Sequence, residues 1–214
     1  MGRAIELLDR EGVQALSMRR LGDALGVSAP ALYRHIQNKA RLTTLVLRRV
    51  MADFAYEPDR SAGWDEEVGR LMIAIREHVL RYPWVTELAQ GEHVLGLHVL
   101  GDTVHELLRS AGLSESDIFL HRRLLIWSVW GFVTTEVELA TRSTHVPVPD
   151  ATGLQSRRRY RVTLAGDGDG VLHRLPEPYD VVDLDELFEA NVQHFISGVR
   201  TFAARATVRE GTAG

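Results

Sequence analysis

The stretch from Ser17 to Lys39 constrains the fold more than any other part of the chain. It reads Ser-Met-Arg-Arg-Leu-Gly-Asp-Ala-Leu-Gly-Val-Ser-Ala-Pro-Ala-Leu-Tyr-Arg-His-Ile-Gln-Asn-Lys. Ser17 can cap a short helix by accepting a hydrogen bond from one of its first free N–H groups. Leu21, Ala24 and Leu25 are expected to face inward. Gly26 ends that helix, because glycine takes positive φ without steric cost, and Val27 is expected to plug the turn. Ser28 caps a second short helix, Ala29 to His35, which tolerates Pro30 in its first turn. Asn38 suits the exit. A helix from about Arg3 to Glu11, stopped by Gly12, precedes this pair, and a longer one from about Ala40 to Phe54 follows it. Two short helices joined by a two-residue turn and braced by a third make a helix-turn-helix.

The rest of the chain also carries a helical period, with little strand-like alternation. Pro, Asp, Ser and Gly between Glu57 and Gly63 place a domain boundary there or within the helix just before it, and the expected domains are residues 1–50 and 51–214. Val68, Leu71, Met72, Ile75 and Val79 place a helix over Trp64 to Arg81, and Pro83 permits a short one to about Ala89. Further helices are expected over Glu92–Ser110, from Ser114 or Ser116 to Thr141, and from Asp183 to about Ala206. Pro147, Pro149, Gly153, Pro176 and Pro178 make 145–180 read as loop. Within it, Tyr160–Leu164 and Val171–Leu175 could form a small hairpin around Gly166-Asp-Gly-Asp-Gly170. The expected fold class is all-α: an N-terminal three-helix helix-turn-helix domain and a larger helical domain.

Charge divides along the same line. Residues 1–50 hold nine Lys/Arg against four Asp/Glu, a net +5, which leaves −9 for the remainder of a chain whose total is −4. A basic head on an acidic body suits a head that approaches a polyanion; a solvated charged face would look the same on charge alone. The helix-turn-helix favours the first reading. A single α-helix fits the major groove of duplex DNA, and the second helix of this motif enters it. The inserted surface would be Ser28, Ala29, Ala31, Arg34 and His35, with Pro30 and Ala31 able to touch a thymine methyl. Arg19 is long enough to reach a guanine edge. Tyr33 and Lys39 suit phosphates, which fix register rather than sequence.

Leu21, the Gly26-Val27 turn, Pro30, Leu32-Tyr33, His35 and Asn38-Lys39 together resemble the TetR family of bacterial regulators, specifically over residues 4–50. Beyond residue 50 the likeness is architectural: an all-helical body ending in two long helices with a long loop between them. Trp64 at a helix start and the interrupted loop are similar to the tetracycline-repressor branch. The resemblance implies that Arg19 and Ala29–Ala31 face bases and that Ser17, Tyr33, His35 and Lys39 face mostly backbone. Arg34 stands where tetracycline repressors commonly carry an aromatic residue, so base or phosphate is open for it. The resemblance also implies a repressor that binds a palindromic operator in double-stranded DNA as a homodimer and is released by a small hydrophobic effector.

The body supplies candidates for the remaining roles. Trp84, His93, His98, Trp127, Trp130 and Thr134 offer the aromatic walls and few polar groups of a small-molecule site; each aromatic taken singly also suits ordinary core. Apolar residues occupy more than one face of the helix ending at Thr141: Leu120, Leu124, Trp127 and Gly131 on one, Phe119, Ile126, Trp130, Val133 and Val137 on another. With Phe188, Phe195, Val199 and Phe202 on the last helix, this is more apolar surface than one chain readily buries. Pairing both helices with their copies would give a four-helix bundle.

Cysteine is absent, which excludes disulfides, thiolate metal sites and a cysteine nucleophile. The histidines lack zinc spacing, and Asp167-Gly-Asp169 lacks the other ligands of a calcium loop. No triad, phosphate-cradling glycine loop or metal motif indicates an enzyme, and no cofactor is expected. No apolar run reaches membrane-span length, which makes a cytoplasmic protein the simplest reading. The rival reading is a helical protein that binds or sequesters a small molecule without an operator.

Overall fold

Every helix of the head begins or ends on a residue that answers the free backbone groups of its terminus. In a computed structural model describing residues 1–89, 101–141, 146–149, 155–161 and 181–211, α1 spans Gly2–Glu11 and stops at Gly12, φ 74°. A short 3-10 turn over Val13–Ala15 leads to α2, Met18–Leu25, and α3 follows at Ala29–His35. The longer α4 spans Lys39–Ala52. The core of these elements is Ala4, Leu8, Ala15, Leu16, Met18, Leu21, Leu32, Ile36, Leu42 and Val46, all buried.

The chain divides into two compact units, Met1–Ser110 and Ala111–Gly214. The first continues through α5, Trp64–Leu80, α6, Trp84–Leu88, and α7, Gly101–Ser110. The inward seam of α5 is Val68, Leu71, Met72, Ile75 and Val79, the expected spacing. Between α4 and α5 the boundary segment is tied to α5. Tyr56 Oη donates to Glu67 Oε2 at 2.9 Å, and Glu67, buried, also pairs with Arg70. Burial pushes the Tyr56 phenol above its usual pKa, with the nearby Arg70 guanidinium acting against the shift. His78, also buried, donates from Nε2 to the Val50 carbonyl at 2.9 Å. Its ring meets Phe54 and Tyr82 edge-on, with centroids 5.2 and 5.7 Å away.

The second unit is built on two long helices, α8, Glu115–Thr141, and α9, Leu184–Gly211. They run antiparallel. Phe132 meets Phe188 at 4.9 Å, Asn191 Nδ2 donates to Ser128 Oγ at 2.8 Å, and His121 meets Phe202 at 4.8 Å. The α8 seam is Ile118, His121, Leu125, Val129, Val133 and Glu136; that of α9 is Leu184, Phe188, Val192, Ile196 and Val199. Among the described residues, no helix is long and apolar enough to cross a membrane.

The all-α expectation gains one addition. Two strands in the segment read as loop, β1 (Val146–Pro149) and β2 (Gln155–Arg161), and a third just after it, β3 (Val181–Asp183), form an antiparallel sheet in the order β1-β2-β3. Pro147 and Pro149 are compatible with it because β1 is an edge strand, where a missing N–H need not break a ladder bond. The proposed hairpin partner, Val171–Leu175, lies outside the described residues; β2 pairs instead with β1 and β3.

Candidate nucleic-acid interface

Three side-chain caps set where α2, α3 and α4 start. Ser17 Oγ accepts from Arg20 N at 3.2 Å, Ser28 Oγ from Ala31 N at 3.4 Å and Asn38 Oδ1 from Arg41 N at 2.7 Å. Capping uses an oxygen lone pair, so each serine still has an O–H to donate outward. Gly26 holds φ 68° and ψ 26°, the left-handed conformation, and closes α2 with its N–H on Asp23 O. Val27 N then donates to Gly22 O at 3.0 Å, folding the turn back on α2.

Gly22 is the residue that sequence reasoning missed. A Cβ there would lie 2.8 Å from the Val27 carbonyl oxygen and 3.5 Å from Ala29 N. The two helices approach this closely because position 22 has no side chain. The signal was a glycine inside a helical pattern, which read alone is only a weakness in the helix. Three expectations are also corrected. Leu25 is 46% and Val27 43% exposed, because the α2 seam of Met18, Leu21 and Gly22 ends where the chain turns away at Gly26. Ala24 is exposed as well.

On the outer side, Arg19, Ser28, Pro30, Tyr33, Arg34, His35 and Lys39 are exposed, while Ser17, Ala29 and Ala31 are half-buried. Leu32 and Ile36 anchor α3 from beneath. Neighbouring arginines differ: Arg20 is held by Glu11 of α1, whereas Arg19 makes no hydrogen bond or ion pair with any described residue. Arg34 and Lys39 are likewise unpaired among the described residues. The head therefore exposes cations, a phenol, an imidazole and small apolar groups on and beside α2 and α3, which is chemistry suited to phosphates and base edges.

Residues expected in the body divide between the units. Trp84 is buried in the first, its Nε1–H donating to Asp9 Oδ1 at 2.6 Å and its ring edge-on to Tyr82. It braces α6 against α1 through the indole N–H. On α8, Trp127 is 54% exposed, Trp130 is half-buried, and the half-buried Thr134 has an Oγ1 that finds no hydrogen-bond partner among the described residues. His93 and His98 lie outside the described residues. The expected pairing stripe is corrected at two positions. Phe188 and Val199 belong to the chain's own core, since they fall on the α9 seam that packs on α8; Phe195 is half-buried and Phe202 is exposed. Among the described residues, the exposed large apolar side chains of this unit are instead Phe119, Leu120, Leu124 and Trp127, with Leu187 and Phe202.

Comparison with known proteins agrees with this geometry. Residues 2–44 match the family model of bacterial regulatory proteins of the tetR family, and residues 57–203 match the tetracyclin repressor-like C-terminal domain. An HTH-type transcriptional regulator of Saccharopolyspora erythraea is 28% identical over 208 residues, 94% of this chain and 82% of that protein. The fold is similar to that of the Streptomyces coelicolor protein ActR in complex with (S)-DNPA, with a TM-score of 0.68 and 24% identity over 94% of this chain and 95% of that one. It is also similar to BioQ with its double-stranded DNA operator, with a TM-score of 0.57 and 29% identity over 64% of this chain and 83% of that one. Two matched models that together span most of the sequence, one on the head and one on the body, establish that the chain belongs to the TetR family of bacterial regulatory proteins.

Proposed function

We propose that this chain is a ligand-responsive repressor that binds a palindromic operator as a homodimer and leaves it when a small hydrophobic effector binds. One observation carries the reading: the open face of α2 and α3 presents Arg19, Tyr33, Arg34 and His35 with Lys39 beside them, on a scaffold fixed by Leu21, Gly22 and Leu32. Residues 1–50 would read DNA. Arg19, Ser28, Ala29, Pro30, Ala31 and Arg34 would face the groove, and Ser17, Tyr33, His35 and Lys39 the backbone. Residues 51–214 would bind the effector and form the dimer, in the cytoplasm and without catalysis or cofactor.

Pairing would use the outward face of α8, with Leu120, Leu124 and Trp127, together with Leu187 and Phe202 of α9. Two copies of each helix make a four-helix bundle. A two-fold dimer sets its reading helices about one DNA turn apart, ~34–36 Å, or a multiple of it. Trp127 is then an interface residue. Trp84, Trp130 and Thr134, with His93 and His98, are the other effector candidates. The Thr134 hydroxyl supports this, because its Oγ1 is shielded from solvent and finds no partner among the described residues, and a ligand can satisfy such a group. ActR is solved with a small molecule and BioQ with its operator, and by likeness we ascribe both kinds of partner to this chain. The effector would act by preferring a dimer conformation whose heads do not match the operator spacing, to the extent of its differential affinity.

The test is binding of duplexes selected by the protein from a random library, measured across salt. Phosphate contacts predict a linear fall of log affinity with log salt. Arg34→Ala with Lys39→Ala should abolish binding while the circular dichroism spectrum and melting stay those of the wild type. A flat salt response, or undiminished binding by that variant, refutes the proposal.

A further inference from the structure

We infer that Arg34 reads a guanine in the major groove and is the principal hydrogen-bonding determinant of operator sequence on α3; this rests on the operator reading proposed above. The argument begins with where α3 is anchored. Leu32 is its buried residue, and Ile36 is buried at its C-terminal end. With 3.6 residues per turn, successive side chains are spaced ~100° around the helix. Arg34 is two residues from each anchor, which puts it on the side opposite both. Pro30, four residues earlier, lies on the same outer ridge. Tyr33 and His35 stand about a quarter-turn to either side. When the outer ridge faces the groove floor, the flanking phenol and imidazole face the two phosphate walls. Arg34 faces the base pairs.

The chemistry of the neighbours then leaves Arg34 as the main hydrogen-bonding reader on this helix. Ala29, Pro30 and Ala31 carry no side-chain donor or acceptor, so they can touch a thymine methyl but cannot distinguish bases by hydrogen bonds. Ser28 accepts from Ala31 N as the helix cap, which fixes its oxygen at the helix start. Arg34 brings a planar fork of donors, and the base edge that offers two acceptors to such a fork in the major groove is guanine, through O6 and N7. Its guanidinium is available for this role. Arg3, Arg20, Arg49 and Arg70 are each held by a carboxylate, whereas Arg34 has no hydrogen bond or ion pair with any described residue.

The experiment compares the wild type with Arg34→Ala by selection from a random duplex library, then by titration of the winning duplex carrying 7-deazaguanine at each guanine in turn. Arg34 is exposed, so the variant is expected to fold. The wild type should select one guanine per half-site that the variant no longer selects, with a preference on the order of tenfold to a hundredfold. Removing N7 at that guanine should weaken the wild type roughly tenfold and leave the variant unchanged. Two results overturn the inference: a variant that selects the same motif with uniformly weaker binding, as for a phosphate contact, or a wild type indifferent to N7 at every guanine. If the wild type enriches no duplex at all, the operator reading fails and takes this inference with it; the two results above refute the inference alone.

Discussion

Replacing Gly22 with valine tests whether the close approach of α2 to the turn is what presents the reading face. The added Cβ would stand 2.8 Å from Val27 O, where ordinary contact begins at 3.4 Å, and the opposing atom is backbone rather than a flexible side-chain end. The turn cannot retreat freely, because Val27 N is hydrogen-bonded to Gly22 O at 3.0 Å. Valine brings two further methyl groups into the same gap. Overpacking of this kind costs ~1–3 kcal/mol. Valine's better helix propensity returns less than about 0.5 kcal/mol. The net loss of roughly 1–2 kcal/mol corresponds to a fall on the order of 5–10 °C in the melting of a unit this size. The relaxation that accommodates valine moves α3 relative to Arg19, so duplex binding should fall more than tenfold. Gly22→Ala is the control: its gain of about 1 kcal/mol in helix propensity opposes a smaller displacement, and it should melt near the wild type. Melting by circular dichroism and duplex titration decide the matter. A Gly22→Val variant that matches the wild type in both refutes the argument.

Three further outcomes are expected. Gly26→Ala forces a side chain into φ 68° and should lower stability by ~1–2 kcal/mol in urea unfolding; an unchanged midpoint would mean the turn adopts another conformation. Trp84→Phe keeps the ring but removes the donor to Asp9, and the loss of about 1 kcal/mol should appear as faster amide hydrogen exchange in α1, which unaltered exchange would contradict. Trp127→Glu puts a charge at the centre of the proposed pairing face, and sedimentation should show dissociation to monomers at concentrations where the wild type is dimeric; an unaltered dimer would place the interface elsewhere.

The head was legible because its signals are local. Ser17, Gly26, Ser28 and Pro30 each act on backbone groups within a few residues, so their order alone fixes two helices and a turn. Leu25 and Val27 misled because apolar character was read as inwardness, although the seam of α2 ends before them. The long helices were legible as helices but not in their facing. On α8 both the buried seam and the outward face are apolar, and the seam itself contains His121 and Glu136, so composition gives no direction. On α9, Leu187 and Phe202 are as apolar as the buried Phe188 and Val199, so composition does not separate the seam from the outward face there either. The link from Trp84 to Asp9 spans 75 residues and leaves no local pattern. β2 has four arginines and no aliphatic residue among its seven positions, which hides a strand from any hydrophobic alternation.

The segment between α4 and α5 has a mechanical meaning that its composition conceals. Proline, glycine and acidic residues there suggest a loose joint, yet the end of α4 is bolted to α5 by the imidazole of His78 on Val50, and the following residues by the phenol of Tyr56 on a sunken carboxylate. A joint fastened at two points transmits torque. Any tilt of α4 must therefore carry α5 along or rupture a buried bond, so a disturbance along α5 would reach the DNA-reading end as leverage.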